Sequence, residues 1–434
     1  MSYLEEQGAV NVVVQKFGGT CTESPAHQLL AAERIMECRD QGLWPVAVIS
    51  AMGREGQPYS TAELVKLVRQ IHPKIEPREL DLLMSCGEII STVAMAHLLK
   101  SKGYDTIALS GGQAGLITDH YHGHAAIIDI RPNEIFKALQ ERLIVFVAGF
   151  QGVTPERHVI TTLGEGGSDY TAVALAVTLA GTPTLPFGEE LRVAPLQVFK
   201  EVDGVMTANP THFDKGKGPL ALPSLTYDEM VTMSALGADV LQHSAAVMAR
   251  KHQLSLVVKN FKTDVPGTEI SPATGKPSGR PVTAICDIPD LILFSVPAKD
   301  GRLAGQLSGA MRNERILHYQ IPTDEQYPMP TGKGRAQFAV KRAKYRDVRA
   351  IIEHILFDRD TTAEFSADAW GLVSVVGEGV RGRTSEVHAQ AEQALREADI
   401  AVFGATDGEL HISLLIREEQ RTQALRVLHK RLIG

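Results

Sequence analysis

Cysteine is scarce in this chain of 434 residues. There are four, Cys21, Cys38, Cys86 and Cys286, with no CxxC pair and no Cys/His metal spacing. Free thiols in a reducing compartment follow from that usage, and no residue set reads as a resident metal centre. A basic excess is also missing: Lys and Arg total 44 against 51 Asp and Glu, a net charge of −7. That balance disfavours a surface for nucleic acid or an anionic membrane. The opening MSYLEEQGAV carries acidic residues where a secretory signal is basic. Apolar runs such as Leu143–Ala148 are strand-length, far short of the ~20 residues a membrane helix needs. A cytoplasmic protein with neither nucleic acid nor membrane as partner is the expectation. What is present, 44% apolar and 22% charged residues, is the composition of a globular chain long enough for about two to four domains.

From Val10 to about Ser271, short β-branched runs alternate with helical patterns. The strand candidates are Val10–Gln15, Val46–Ser50, Thr106–Ser110, Leu143–Gly149, Leu196–Phe199 and Leu254–Val258. Between them, Gln28–Gln41, Arg78–Lys102 and Asp169–Ala180 space apolar residues by three and four, as helices do. Near-continuous apolar strands alternating with helices predict a three-layer αβα domain with a mostly parallel sheet, over residues 1–270.

The segment SPATGKPSGRP holds three Pro and two Gly in eleven residues and reads as a linker, residues 271–284. Beyond it a β-α-β-β-α order occurs twice. The first copy runs through a strand at 291–296, a helix at Arg302–Asn313, strands at Ile316–Ile321 and Arg335–Lys341, and a helix at Tyr345–Phe357. The second has a strand from Leu372, a helix at Thr384–Ala398, strands at Ile400–Phe403 and Glu409–Ile416, and a helix at Glu418–Leu432. Two ferredoxin-like α+β units, 285–365 and 366–434, are predicted, each too small to bury much alone. Gly404–Gly408 (GATDG) reads as a tight turn, its Asp407-Gly pair supplying positive φ.

Chemistry concentrates at the strand ends. KFGGT (Lys16–Thr20) follows the first strand and offers backbone N–H groups and a cation to an anion; a Gly-Gly turn there is also common as plain structure. TTLGEGGSDYTA (Thr161–Ala172) opens a helix, and Ser168 or Asp169 can cap it. Two such glycine-rich turns in one sheet favour the other reading, with phosphate oxygens on the glycine amides and Asp169 steering a lysine or Mg²⁺. SAMGREGQPYST (Ser50–Thr61) is a third strand end rich in small residues and hydroxyls. Glu88 sits in an apolar helix, and periodicity alone favours its exposure. Asp203, Lys259 and Lys262 follow the last two strands, at the edge where open α/β sheets bind ligands.

These motifs together resemble the aspartate kinase family: KFGGT, SAMG, SCGE, TTLGxGGSDYTA, VDGVMTAxP and a closing GT-x-I, in the family's order from about Val12 to Ile270. The closest likeness is to bacterial aspartokinases with PYxT and PREXDLLXSCGE, here PYST (Pro58–Thr61) and PRELDLLMSCGE (Pro77–Glu88). The resemblance implies transfer of the ATP γ-phosphoryl group, with Mg²⁺, to the side-chain carboxylate of aspartate. That reaction is the first step toward lysine, threonine, methionine and diaminopimelate. It also implies tandem ACT domains that bind an amino-acid effector and pair subunits into a homodimer or larger assembly. By the same resemblance Lys16, Asp169 and Lys262 are catalytic. Ser50, Glu88, Thr161, Thr162 and the residue at 165 face the substrate. Gly18, Gly19, Gly166, Gly167, Ser168, Asp203, Thr207 and Asn209 lie along the nucleotide, and Asp300, Gly301 and Asp407 are candidate effector contacts.

Three departures accompany the resemblance. The family's glycine loop reads LGRGGSD, its arginine pairing with a substrate carboxylate; Glu165 stands there. TDVDG and TADPR become KEVDG and TANPT, with Glu201, Asn209 and Thr211 as the changed residues. Gly181–Pro195 reads as an insertion. Two other readings go with these changes: an amino-acid-sensing paralogue, or a kinase for another small carboxylate.

Overall fold

The computed structural model describes residues 9–214, 218–238, 240–272, 281–297, 302–322, 327, 335–357 and 362–434. They divide into two compact units. The first takes the chain to Val205 together with Ala221–Val231 and residues 240–272. The second takes Met206–Leu220, Thr232–Ala238 and the residues from 281 onward. Most of the expected linker, residues 273–280, lies outside the described residues.

Eight strands form the central sheet of the first unit, in the order Ser224–Thr226, Thr268–Ser271, Leu256–Asn260, Glu190–Lys200, Ala9–Phe17, Trp44–Ile49, Ile144–Ala148 and Thr106–Leu109. All neighbours are parallel except Thr268–Ser271 against Leu256–Asn260. Val12, Val13, Val14 and Val46–Ile49 are fully buried, which is why these strands read as unbroken apolar runs. One face packs on the helices Pro25–Asp40 and Pro77–Ser101, with Ala31, Ile35, Met95 and Leu99 set against Phe17, Ile49 and Phe146. The helix Gly167–Ala180 packs against the strands Ala9–Phe17 and Glu190–Lys200.

Two sequence expectations change here. The supposed insertion contains the first half of an eleven-residue strand, Glu190–Lys200. That half is partly exposed and is interrupted by Pro195 near a register shift, so it carries no apolar run to betray it. The helix Pro77–Ser101 is, by length and composition, long and apolar enough to cross a membrane, which no apolar run in the sequence suggested. It nevertheless buries Asp81 and Glu88 against the first unit.

A smaller four-stranded sheet, ordered Ile127–Ile130, Leu116–Thr118, Gln151–Val153 and Ile160–Thr162, carries the loop of residues 119–126. Asp81 anchors that loop. Its carboxylate accepts from the Gly123 N–H, the Thr162 N–H and the Thr162 hydroxyl, and it meets His122 Nδ1 at 2.7 Å. Asp81→Ala strands these buried donors, each worth about 1–3 kcal/mol. A loss of about 3 kcal/mol or more in urea unfolding is the expected outcome, and a change under 1 kcal/mol contradicts the anchoring role.

In the second unit both ferredoxin-like copies share one antiparallel sheet. The strand Ala284–Pro297 pairs Leu291–Pro297 with Arg335–Lys341 and Ala284–Ile288 with Leu372–Val376, shifting register between Ile288 and Leu291. The expected strand at Ile400–Phe403 is displaced to Gly404–Asp407, so the first four residues of GATDG are strand and the turn begins only at Gly408. Ile400 is drawn instead into the core beneath the helix Thr384–Glu397, and the Phe403 ring meets Trp370 edge-on. Asp407 consequently pairs with Ile412 across the sheet. Asp300 and Gly301 lie outside the described residues.

Candidate active site

The strand Ala9–Phe17 ends by delivering Lys16 into the interior, only 5% exposed, with its Nζ 2.6 Å from Asp169 Oδ1. Asp169 lies in the first turn of the helix Gly167–Ala180, and its Oδ2 accepts from the Gln242 N–H and faces Lys200 Nζ at 3.6 Å. Burial pushes the Asp169 carboxyl up, but Lys16 and Lys200 outweigh it and hold the group below its usual range. Burial also pulls the Lys16 ammonium down, against Asp169. A buried anion thus carries two cations. Lys200, at the end of its strand, is the residue that the sequence left unremarked. Lys262, by contrast, bonds Glu201 at 2.8 Å, and Glu201 also meets Arg54.

Glycines admit the backbone close to these cations. A Cβ on Gly19 would lie 2.8 Å from the Ala51 carbonyl and 2.9 Å from that of Gly53, and one on Gly18 would sit 3.6 Å from Lys16 Nζ. The helix Gly167–Ala180 has Gly166 as its N-cap, at φ 71°, with no side-chain cap bond. Neither Ser168 nor Asp169 caps it; both are buried in its first turn. Its N-terminus therefore faces the cavity beside Lys16 with positive polarity.

Glu88 is the largest correction to the sequence reading. It is 3% exposed, not on a solvated face. One carboxylate oxygen accepts the Ala51 N–H at 3.1 Å, and the other has no hydrogen-bond partner among the described residues. Burial pushes its pKa up to about 8. Lys16, Gly19, Ser50, Glu88, Glu165–Ser168 and Arg54 line one cavity of about 520 Å³, within the range of small-molecule sites. Phe150, held at φ 68°, forms part of its wall. The cavity therefore offers cations and a helix N-terminus to an anion at one end, and a desolvated carboxylate to an ammonium group at the other.

Other candidates take different places. The Thr161 hydroxyl is 2.5 Å from that of Thr118, and Thr162 is bound to Asp81, so both support the wall from behind. Asp203 accepts from Asn260 Nδ2 at 2.8 Å. Thr207 and Asn209 belong to the second unit, where the buried Thr207 hydroxyl meets His429 Nε2 at 2.9 Å and Asn209 caps a short turn by accepting the Thr211 N–H. Among the described residues, Glu23, His27 and Glu201 bring three possible metal-ligand atoms within 4.8 Å of one another.

Known proteins resemble this chain in sequence and in fold. The model of the amino acid kinase family matches residues 11–260, and that of the ACT domain matches 373–432. Aspartokinase 1 of Bacillus subtilis is 32% identical over 430 residues, covering 97% of this chain and 98% of its own. The aspartokinase of Corynebacterium glutamicum is 31% identical over 430 residues, covering 96% and 95%. Escherichia coli aspartokinase III, solved with aspartate and ADP, superposes with a TM-score of 0.77 at 18% identity, covering 98% of this chain and all of the other.

Proposed function

The chain belongs to the aspartokinases of the amino acid kinase family, and we propose that its cavity transfers the γ-phosphoryl group of ATP to the side-chain carboxylate of L-aspartate, giving 4-phospho-L-aspartate. The observation that carries this reading is one cavity lined by both Lys16, which is paired with Asp169 behind it, and the buried, half-unpartnered Glu88. Glu88 binds the substrate ammonium. The substrate's side-chain carboxylate then points at the cationic end, where Lys16, the Gly18–Gly19 turn and the N-terminus of the helix Gly167–Ala180 neutralise the transferring phosphoryl group. Asp169 holds Lys16 and Lys200 in place, and Ser50 faces the substrate. Lys262 and Asp203 stand along the nucleotide.

ATP is the phosphoryl donor, and Mg²⁺ arrives with its phosphates, as is usual for such sites. The Glu23–His27–Glu201 group offers ligands of suitable chemistry, though Glu201 is already held by Lys262 and Arg54. When bound, Mg²⁺ supplies charge neutralisation on phosphate oxygens. The ACT units bind an amino-acid effector and pair subunits, and the free thiols agree with a cytoplasmic setting. ADP release from ATP that depends on added aspartate tests the proposal; release without such dependence contradicts it.

Glu165 supports a second reading, in which the acceptor is another small carboxylate. Its side chain is exposed on the cavity wall, where the resemblance calls for a cation facing a carboxylate. Glu165→Arg lowers the KM for aspartate by about tenfold or more, since a charge-assisted bond replaces a repulsion. An unchanged or higher KM places Glu165 away from the substrate carboxylate and removes its support for the other acceptor.

A further inference from the structure

We propose that His124 receives the α-carboxylate of the substrate and thereby selects an α-amino acid over an amine that lacks this group. The inference rests on the aspartate reading above and supplies a contact which that reading leaves unassigned. In that reading Glu88 takes the ammonium and the Lys16 end takes the side-chain carboxylate. The α-carboxylate shares its carbon with the ammonium, so it lies at the Glu88 end. Glu165, on the same cavity, can only repel it. A donor on the wall has to meet that charge, because an unpaired carboxylate is costly to take out of water.

Three side chains lining the cavity can carry a positive charge: Lys16, Arg54 and His124. Lys16 is bound to Asp169. Arg54 is 72% exposed and pairs with Glu201, which also holds Lys262, so it belongs with the cations of the phosphoryl end. His124 remains. Its backbone is fixed on both sides, because the Gly123 N–H donates to Asp81 and the Ala125 N–H donates to the Thr162 carbonyl at 2.9 Å. Thr162 leads into the glycine loop, so the half-buried imidazole is set against that loop. A Cβ on Gly164 would lie 2.5 Å from His124 Nδ1 and 3.3 Å from its Cε1. The ring edge therefore fills the space beside Gly164, the residue before Glu165. A side chain held in this way before substrate arrives loses little freedom on binding, as a selective contact requires. A neutral imidazole keeps one N–H to donate, so the contact does not need a charged ring.

Isothermal titration calorimetry on the full chain above pH 8, where Glu88 is ionised, tests the proposal. The probes are L-aspartate and 3-aminopropanoate, which is aspartate without its α-carboxylate. Wild type is expected to bind aspartate about tenfold or more tighter than 3-aminopropanoate. His124→Ala weakens aspartate about tenfold and changes 3-aminopropanoate by less than about twofold, so the preference collapses. His124→Gln, which keeps an N–H donor, recovers most of the aspartate affinity. Equal weakening of the two ligands would make His124 a mere part of the wall and overturn the proposal. Unchanged aspartate affinity in His124→Ala overturns it too, as does a His124→Gln protein no better than alanine or a wild type that binds no aspartate. Failure of the phosphoryl-transfer reading looks different: aspartate then binds in a His124-dependent way, supporting the contact, but releases no ADP from ATP.

Discussion

Replacing Lys16 with methionine lowers kcat about a thousandfold and leaves the KM for aspartate within a few-fold of its original value. The methionine keeps the length and apolar stem of the side chain but removes the only ammonium that both lines the cavity and bonds Asp169 among the described residues. Phosphoryl transfer asks little covalent chemistry of a protein, so losing a preorganised charge at the transferring group appears in kcat and not in ground-state binding. A structural cost accompanies it. Asp169 keeps Lys200 and the Gln242 N–H, so stability falls by less than the about 3–5 kcal/mol that isolating a buried charge costs. Circular dichroism and a melting curve separate that loss from catalysis. A folded Lys16→Met protein with kcat within tenfold of wild type would show that Lys16 does not face the transferring group.

Glu88 gives the second large effect, one that depends on pH. Its pKa in the free protein is raised to about 8, so at pH 7 most of the protein holds a neutral acid where an ammonium must bind. Binding has to expel that proton. The KM for aspartate therefore falls as pH rises, about tenfold per unit below pH 8, and levels off above it. Glu88→Gln raises the KM and flattens the profile. Stability supplies an independent check with a definite sign. A carboxyl whose pKa is raised by folding favours the fold below its unfolded value and loses that advantage as pH climbs to the folded value. Glu88→Gln is thus increasingly more stable than wild type between pH 5 and pH 8. A pH-independent KM in wild type, or no divergence of the two stability curves, removes Glu88 from its role.

Much of the fold was legible because a parallel sheet covered on both faces writes itself as apolar runs, as at Val12–Val14 and Val46–Ile49. Legibility failed where burial was partial or its cause was remote. The first half of the strand Glu190–Lys200 is only partly buried, and the strand Gly404–Asp407 is masked by turn-forming residues that the sheet overrides. At the site, Glu88 reads as exposed because helical periodicity separates polar from apolar positions but cannot distinguish water from a polar cavity. Asp81 escaped for the same reason. Lys200 escaped because its partner Asp169 is 31 residues away in sequence, and only the packing of the helix Gly167–Ala180 on the strand Glu190–Lys200 brings the two together. The lysines and glycines of the turns were legible because a strand end followed by Gly-Gly has few uses other than a tight turn or an anion site. The departure at Glu165 was visible as charge, but its meaning rests on which group of the substrate lies over it.

The central claim is that Lys16 and Glu88, on one cavity, phosphorylate the side-chain carboxylate of aspartate and not its α-carboxylate. Trapping and identifying the acyl phosphate tests this directly. The protein is incubated with ATP, Mg²⁺ and millimolar aspartate, and the product is reduced with borohydride. The account predicts 2-amino-4-hydroxybutanoate, formed in proportion to ADP and absent with Lys16→Met. No reduced product, or 3-amino-4-hydroxybutanoate from the α-acyl phosphate, would contradict it.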